Sequence, residues 1–260
     1  MNTTHAHMMS LCLTITLITC MGLVGCKSKA EKTVAYAEQP EAETQPSDEH
    51  KNMKHEGHGE GHGMATLPVE KRVAFMSGHI AAGLALYRAG APDQAAKHLL
   101  HPVSETHKAE RAGIDALGFT PKVFEAVSKA LSEGRPAAEI EPMLKKAEAN
   151  MALLQKNAGG HPADIIEYLM ETVNEEYAVG VKNGVITDPG EYQDAFGFSV
   201  IALRAAKQVT SDKSKSTITQ LESLISLWPK GGPLAKSIPQ PVSKVTAQTA
   251  QVVQTLSALR

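Results

Sequence analysis

Apolar residues recur at intervals of three and four over residues 68–89, where Val69, Val73, Met76, Ile80, Leu84 and Tyr87 fall on one face of a helix. Residues 88–92, RAGAP, end that helix, and Pro92 suits the first turn of a second one over 92–100. His101-Pro102 interrupts it, and a third helix is predicted over 103–117. Thr120-Pro121 and Arg135-Pro136 open helices over 121–133 and 136–157. HPAD at 161–164 opens a long helix ending near Gly184. DPGE at 188–191 has the form of a capped start, with Asp188 as the cap, Pro189 as the first helical residue and Glu191 as the third. That helix runs to about residue 209, and another near 216–228 ends at Trp228-Pro229. Beyond the loop PKGGPLAKSIPQP, Val242, Val245, Val252, Leu256 and Leu259 make a last apolar stripe, with Thr249 its polar member. Strand-like alternation is hard to find. The pattern predicts an all-α fold, a helical bundle or array of antiparallel hairpins, following a signal peptide and a disordered tether.

The N-terminus carries a different pattern. Residues 11–25 form an uncharged run of 15 residues. This is shorter than the roughly 20 residues of a membrane-spanning helix and has the length of a signal-peptide core. The run closes on LVGC at 23–26, which resembles the lipobox of bacterial lipoproteins. The resemblance implies cleavage after Gly25 and lipidation of Cys26; the alternative LIT before Cys20 lacks a small residue at the cleavage position. Residues 2–10 depart from the pattern in having no Lys or Arg. Two or more acyl chains would anchor the protein stably. Lys27, where an Asp would resemble an inner-membrane retention signal, favours the outer membrane. The expected location is the bacterial cell envelope, lipid-anchored at the outer membrane and facing the periplasm. The expected organisation is a lipoprotein signal peptide at 1–25, a lipidated N-terminus and disordered His-rich tether at 26–65, and an α-helical domain at 66–260.

Cysteine usage narrows the chemistry. The three cysteines are Cys12, Cys20 and Cys26, and cleavage would remove the first two. The mature chain would then have no free thiol, which excludes thiol catalysis and CxxC redox chemistry. A net charge of -2 with no Lys/Arg block, and an aromatic content of only 4%, leaves neither a basic patch nor a stacking platform for nucleic acid. No GxSxG, HExxH or phosphate loop occurs and no base pairs with a nucleophile, so the chain reads as a non-enzyme.

Histidine is the chemistry that remains. In the tether, MKHEGHGEGHGM places His55, His58 and His62 between Met53 and Met64, with His50 just before. Imidazole and thioether ligands on a glycine-rich chain can wrap a cation, loosely and with little selectivity. In the domain, an antiparallel hairpin of helices 68–89 and 92–100, turning near residue 90.5, pairs residues whose numbers sum to about 181. His79 then lies beside His101, with His98 three residues before it and Glu105 four after it. Gly78 and Gly83 would let the facing backbone approach. The set His79, His98, His101 and Glu105 suits Zn, Cu or non-haem Fe, whereas His107 points elsewhere. The hairpin itself, GLALYRAGAPDQAAKHL, resembles one tetratricopeptide helix-turn-helix repeat, with no second copy at a fixed period.

An acidic stripe offers an alternative. Asp164, Glu167, Glu171 and Glu175 step along one helix, and Glu191 and Asp194 start the next. Glu171, Glu175, Glu191 and Asp194 could bind a hard cation; the competing expectation is a solvated face with ion pairs, for example to Arg204. The segment EEYAVGVKNGVITDPGEYQDAFGF at 175–198 is similar to part of the extracytoplasmic helical region of bacterial high-affinity iron permeases, through Tyr177, Val181, Gly184, Ile186, Asp188, Glu191, Tyr192, Asp194 and Phe198. The membrane helices with Arg-Glu-x-x-Glu motifs are missing, so the resemblance implies a helical module near metal-uptake machinery rather than a transporter. Together these readings predict a lipid-anchored, periplasm-facing helical protein that binds a transition metal for handling or delivery. Its partners would be the membrane, through the lipid, and envelope metal-transport proteins. The alternative is a metal-free helical adaptor lipoprotein mediating protein contacts in the envelope.

Overall fold

The computed structural model describes residues 66–104, 113–236 and 238–260. Cys26, the tether residues His50, Met53, His55, His58, His62 and Met64, and Glu105 and His107 lie outside the described residues. The fold is all-α. Eight helices have both ends among the described residues, in order: α1 (Val69–Arg88), α2 (Pro92–Ser104), α3 (Pro121–Ser132), α4 (Ala137–Ala158), α5 (Pro162–Gly180), α6 (Pro189–Gln208), α7 (Lys215–Ile225) and α8 (Val242–Thr255). Short 3-10 turns precede α7 and follow α8. Among the described residues, no helix is long and apolar enough to cross a membrane.

Helix α1 organises the rest. Every residue from Val73 to Leu84 is buried, the condition of a helix with packed neighbours on all sides. Val73, Met76, Ile80 and Leu84 enter one core with Leu99 of α2, Phe124, Val127 and Leu131 of α3, and Ile140, Leu144 and Leu154 of α4. Ala74, Phe75 and Ala81 enter a second core built by α5 to α8, around Ile166, Leu169, Tyr177, Tyr192, Phe198, Leu221 and Trp228. Thr249, the polar member of the last stripe, is buried and donates its hydroxyl to Asn174 Oδ1 at 2.8 Å.

Close backbone approach between α1 and α6 depends on two glycines. A Cβ on Gly197 would sit 2.1 Å from the carbonyl oxygen of Gly78, and a Cβ on Gly78 would sit 2.0 Å from the Phe198 ring. Gly78 therefore serves contact with α6, not with α2 as the sequence pattern predicts. Gly83 does face α2, where an added Cβ would be 3.3 Å from His98 Cβ, a pair of numbers summing to the expected 181.

Two element boundaries differ from the sequence expectation. Helix α2 holds Pro102 and is described to Ser104; the ring forfeits only its own amide bond to the carbonyl four residues back, and the helix is not broken there. Helix α5 stops at Gly180, before Gly184, and a two-residue antiparallel ladder pairs Val181 with Ile186 and Lys182 with Val185. Asn183 and Gly184 both have positive φ, 54° and 76°, as a type I′ hairpin turn requires. The hairpin returns the chain to Asp188, whose carboxylate accepts from the amides of Gly190 (2.9 Å) and Glu191 (3.5 Å) and caps α6.

Candidate metal centre

Three helices deliver four ligand-type side chains to one buried point. His79 comes from the middle of α1, His98 and His101 from successive turns of α2, and Asp194 from the second turn of α6. One ligand atom from each lies within 4.8 Å of all the others. Asp194 Oδ1 is 2.8 Å from His79 Nδ1 and 2.8 Å from His98 Nδ1, and its Oδ2 is 3.9 Å from His101 Nδ1. The Nδ1 atoms of His79 and His101 are 3.1 Å apart. All three imidazoles thus turn Nδ1 inward. Two ring nitrogens at that distance need a proton or a cation between them.

The surroundings are dry. His79, His98 and Asp194 are 2%, 3% and 1% exposed, while His101 at 17% is the outermost member. The His79 ring meets Phe75 and Phe198 edge-on, with centroids 4.6 and 5.4 Å away. Its Nε2 is buried without a hydrogen-bond partner among the described residues. Such an atom costs on the order of 1–3 kcal/mol. His98 is fixed at both ends: its Nε2–H donates to Gln193 Oε1 at 2.8 Å.

Charge follows from this packing. Burial alone would raise the Asp194 carboxyl, but the adjacent imidazoles of His79 and His98 more than offset it and hold the group well below the usual carboxylate range. Burial alone would lower His98, but the Asp194 charge and the hydrogen bonds to Asp194 and Gln193 leave it raised. A second acidic pair lies nearby. Glu176 of α5 is pushed up to about 11, chiefly by burial and then by its hydrogen bond to Glu191 and the charges of Glu191 and Asp194.

The sequence-predicted residues separate accordingly. His79, His98 and His101 are brought together, and their fourth member in the described structure is Asp194, which sequence reasoning placed in the alternative acidic set. Of that alternative set, Glu171 and Glu175 are exposed on α5, whereas the residue facing Glu191 is Glu176. Asp164 and Glu167 do form surface ion pairs, but with Arg260 (3.0 and 2.5 Å) rather than Arg204.

A buried three-histidine, one-carboxylate group of this kind could hold a metal ion. Zn–N bonds of 2.0–2.1 Å in a tetrahedron put ligand atoms about 3.3 Å apart. The separations of 2.8, 2.8, 3.1 and 3.9 Å fall on both sides of that value, and one ligand atom from each residue lies within 4.8 Å of the others. No curated protein and no solved structure matches the chain. A family model does match part of it. Residues 154–260, which hold α5 to α8 and therefore Asp194 and Gln193 but none of the three histidines, are similar to the iron permease-associated 4-helix bundle domain.

Proposed function

We propose that this chain binds a transition metal ion at His79, His98, His101 and Asp194 and handles or delivers it in the bacterial envelope, anchored through Cys26. One observation carries the reading: three Nδ1 atoms and a carboxylate, each from a residue mostly or wholly withdrawn from water, converge on one point. The iron permease-associated domain at 154–260 supports a setting near metal-uptake machinery and makes Fe a candidate beside Zn and Cu.

The residues divide the work by position. His101, the most exposed ligand, meets an arriving cation first. Asp194 supplies the negative charge that offsets the ion in a low-dielectric site. His98 gives up its Nδ1 proton as the ion takes that nitrogen, so uptake releases a proton and tightens as pH rises. His79 closes the site from the phenylalanine side. A low-affinity tether of His50, His55, His58 and His62 would raise the local ion concentration. The role is binding and transfer rather than turnover.

The test is calorimetric titration of Zn, Cu and Fe into the full chain with His50, His55, His58 and His62 replaced by Ala, so that only the domain reports. One ion per chain, lost in the His79→Ala/His101→Ala double variant, is the expected result. Absence of stoichiometric binding in the parent, or binding that survives the double variant, refutes the proposal.

A further inference from the structure

We infer that Gln193, held in orientation by Gln94, is the positioning residue that decides which nitrogen of His98 a metal ion meets. The inference rests on the metal-binding reading above. It assigns a role to two residues that are not ligands.

The argument starts from donor and acceptor inventory. An amide oxygen carries only lone pairs, so the ring nitrogen against it must bear a hydrogen. His98 Nε2 lies 2.8 Å from Gln193 Oε1 and is therefore the N–H nitrogen, closed to a cation. Nδ1, on the Asp194 side, is left as the ligand atom. The choice would reverse if the Gln193 amide turned over, since its NH2 would then seek a lone pair on Nε2. Gln94 opposes this: the Gln193 NH2 donates to Gln94 Oε1 at 2.5 Å, so the two amides would have to turn together.

Topology makes the clamp stiff. Gln94 and His98 stand four residues apart on α2, on one face, and grip the Gln193 side chain between them. Gln193 and Asp194 are consecutive on α6, so one short stretch of backbone holds the two ends of the His98 ring. Gln193 is 2% exposed and His98 is 3% exposed, so water does not compete for these bonds. Among the described residues, His79 has no such partner on its Nε2. His98 is thus the preset ligand, and His79 and His101 adjust around it. Outer partners of ligating histidines typically change metal affinity about 10–100-fold when removed.

The test uses the full chain labelled with 15N-histidine, as wild type, Gln193→Leu and Gln193→Glu. Two-bond 1H–15N spectra report which ring nitrogen of His98 carries hydrogen, first without metal and then with Zn(II) as the probe. The wild type is expected to show hydrogen on Nε2 in both states and zinc on Nδ1. Gln193→Glu keeps an acceptor for the Nε2–H, so hydrogen should stay on His98 Nε2 in this variant, which separates loss of the acceptor from loss of the side chain. Gln193→Leu should lose the slowly exchanging Nε2–H signal and bind Zn about 10–100-fold more weakly. A metal-free wild type lacking hydrogen on His98 Nε2 overturns the inference, as does Gln193→Leu with an unchanged His98 signal and affinity. Those spectra judge Gln193 even if zinc fails to bind, an outcome that sinks the metal-binding reading separately. Should Gln193→Leu fail to fold, Gln94→Leu tests the same clamp: free rotation of the Gln193 amide should speed exchange of the His98 Nε2–H with water, and an unchanged signal counts against it.

Discussion

The Gly78–Gly197 crossing predicts a large effect from one methyl group. An alanine at 197 would place its Cβ 2.1 Å from Gly78 O, 2.9 Å from Ala82 N and 3.0 Å from Ala82 Cβ. The obstacle is α1 backbone, which cannot rotate away as a side chain can. A carbon–oxygen contact of about 3.3 Å is the closest commonly seen, so the two helices must part by about 1 Å. Overpacking of this kind costs about 1–3 kcal/mol, and a rigid obstacle argues for the upper end. At about 2–4 °C per kcal/mol for a domain of this size, the melting temperature should fall by roughly 6–12 °C. The same parting moves His79 on α1 away from Asp194 on α6, breaking a 2.8 Å contact. Zinc affinity should therefore drop by at least about tenfold, as for other losses of ligand support. Differential scanning calorimetry and zinc titration of Gly197→Ala measure both. Gly231→Ala is the control, because nothing lies within 4 Å of a Cβ there and its φ is ordinary. If Gly197→Ala melts within 2 °C of wild type, or binds zinc equally well, the helices do not meet as described and the site does not depend on their spacing.

Three further outcomes follow from the same geometry. Asp194→Asn removes the charge on which His79 and His98 converge and should destabilise the metal-free protein by about 3–5 kcal/mol, read by urea denaturation. A loss under about 1 kcal/mol would contradict the buried pairing. In pH terms, the lowered Asp194 stabilises the fold above its unfolded pKa of about 3.9, and that contribution is lost as pH falls through the folded value. The raised His98 stabilises it fully below about 6.5, and that contribution is lost as pH rises through its folded value. Metal-free stability from this pair should thus peak between about pH 4 and 6.5, while the gain in melting temperature on adding zinc should grow above it. A zinc-induced gain that is flat or falling from pH 6 to 8 would count against proton release from His98. Glu176, pushed up to about 11, stabilises the fold only at low pH and becomes a liability as pH rises from its ordinary value. Glu176→Gln keeps a donor for Glu191 without the burden and should raise the melting temperature at pH 7; a decrease would show that the carboxyl contributes something an amide does not.

How much of this was legible in the sequence depended on the range of the contact. Helix faces and their breaks are local, so Pro92, Pro121 and Asp188 marked starts where α2, α3 and α6 begin within a residue. The α1–α2 hairpin has a short turn, which let simple counting pair residue 83 with 98 and set His79 beside His101. The errors arise where a local signal was outweighed or overlooked. Pro102 reads as a stop but lies inside α2, and Lys182-Asn183-Gly184-Val185 carries an Asn-Gly hairpin signal hidden inside a helical pattern. The sequence pattern groups Asp194 with Glu191 at the start of one helix, facing the stripe of Glu171 and Glu175 on the helix before it. The true neighbours of Asp194 are 115 and 96 residues away, at His79 and His98. Periodicity carries no information across that distance. Small residues do carry some: Gly78 next to His79 and Gly197 three residues beyond Asp194 are the pair that lets α1 and α6 touch, and each stands one helical turn or less from a ligand.

The division of the site between matched and unmatched sequence has a consequence for its origin in the fold. The segment similar to the iron permease-associated domain ends its N-terminal side at residue 154, yet His79, His98 and His101 all precede that point. From the matched segment alone the centre would receive one ligand, the Asp194 carboxylate, too few for a transition metal. The α1–α2 hairpin supplies the imidazoles, and α1 reaches Asp194 only because its buried flank is shared with α5 to α8 through Ala74, Phe75 and Ala81. An ion bound there would tie helices of both cores to each other. Binding energy in such an arrangement is also packing energy, because every ligand that tightens on the ion draws α1, α2 and α6 together. On the proposed reading, the segment at 154–260 is a platform that contributes Asp194, and the α1–α2 hairpin brings the three imidazoles to it.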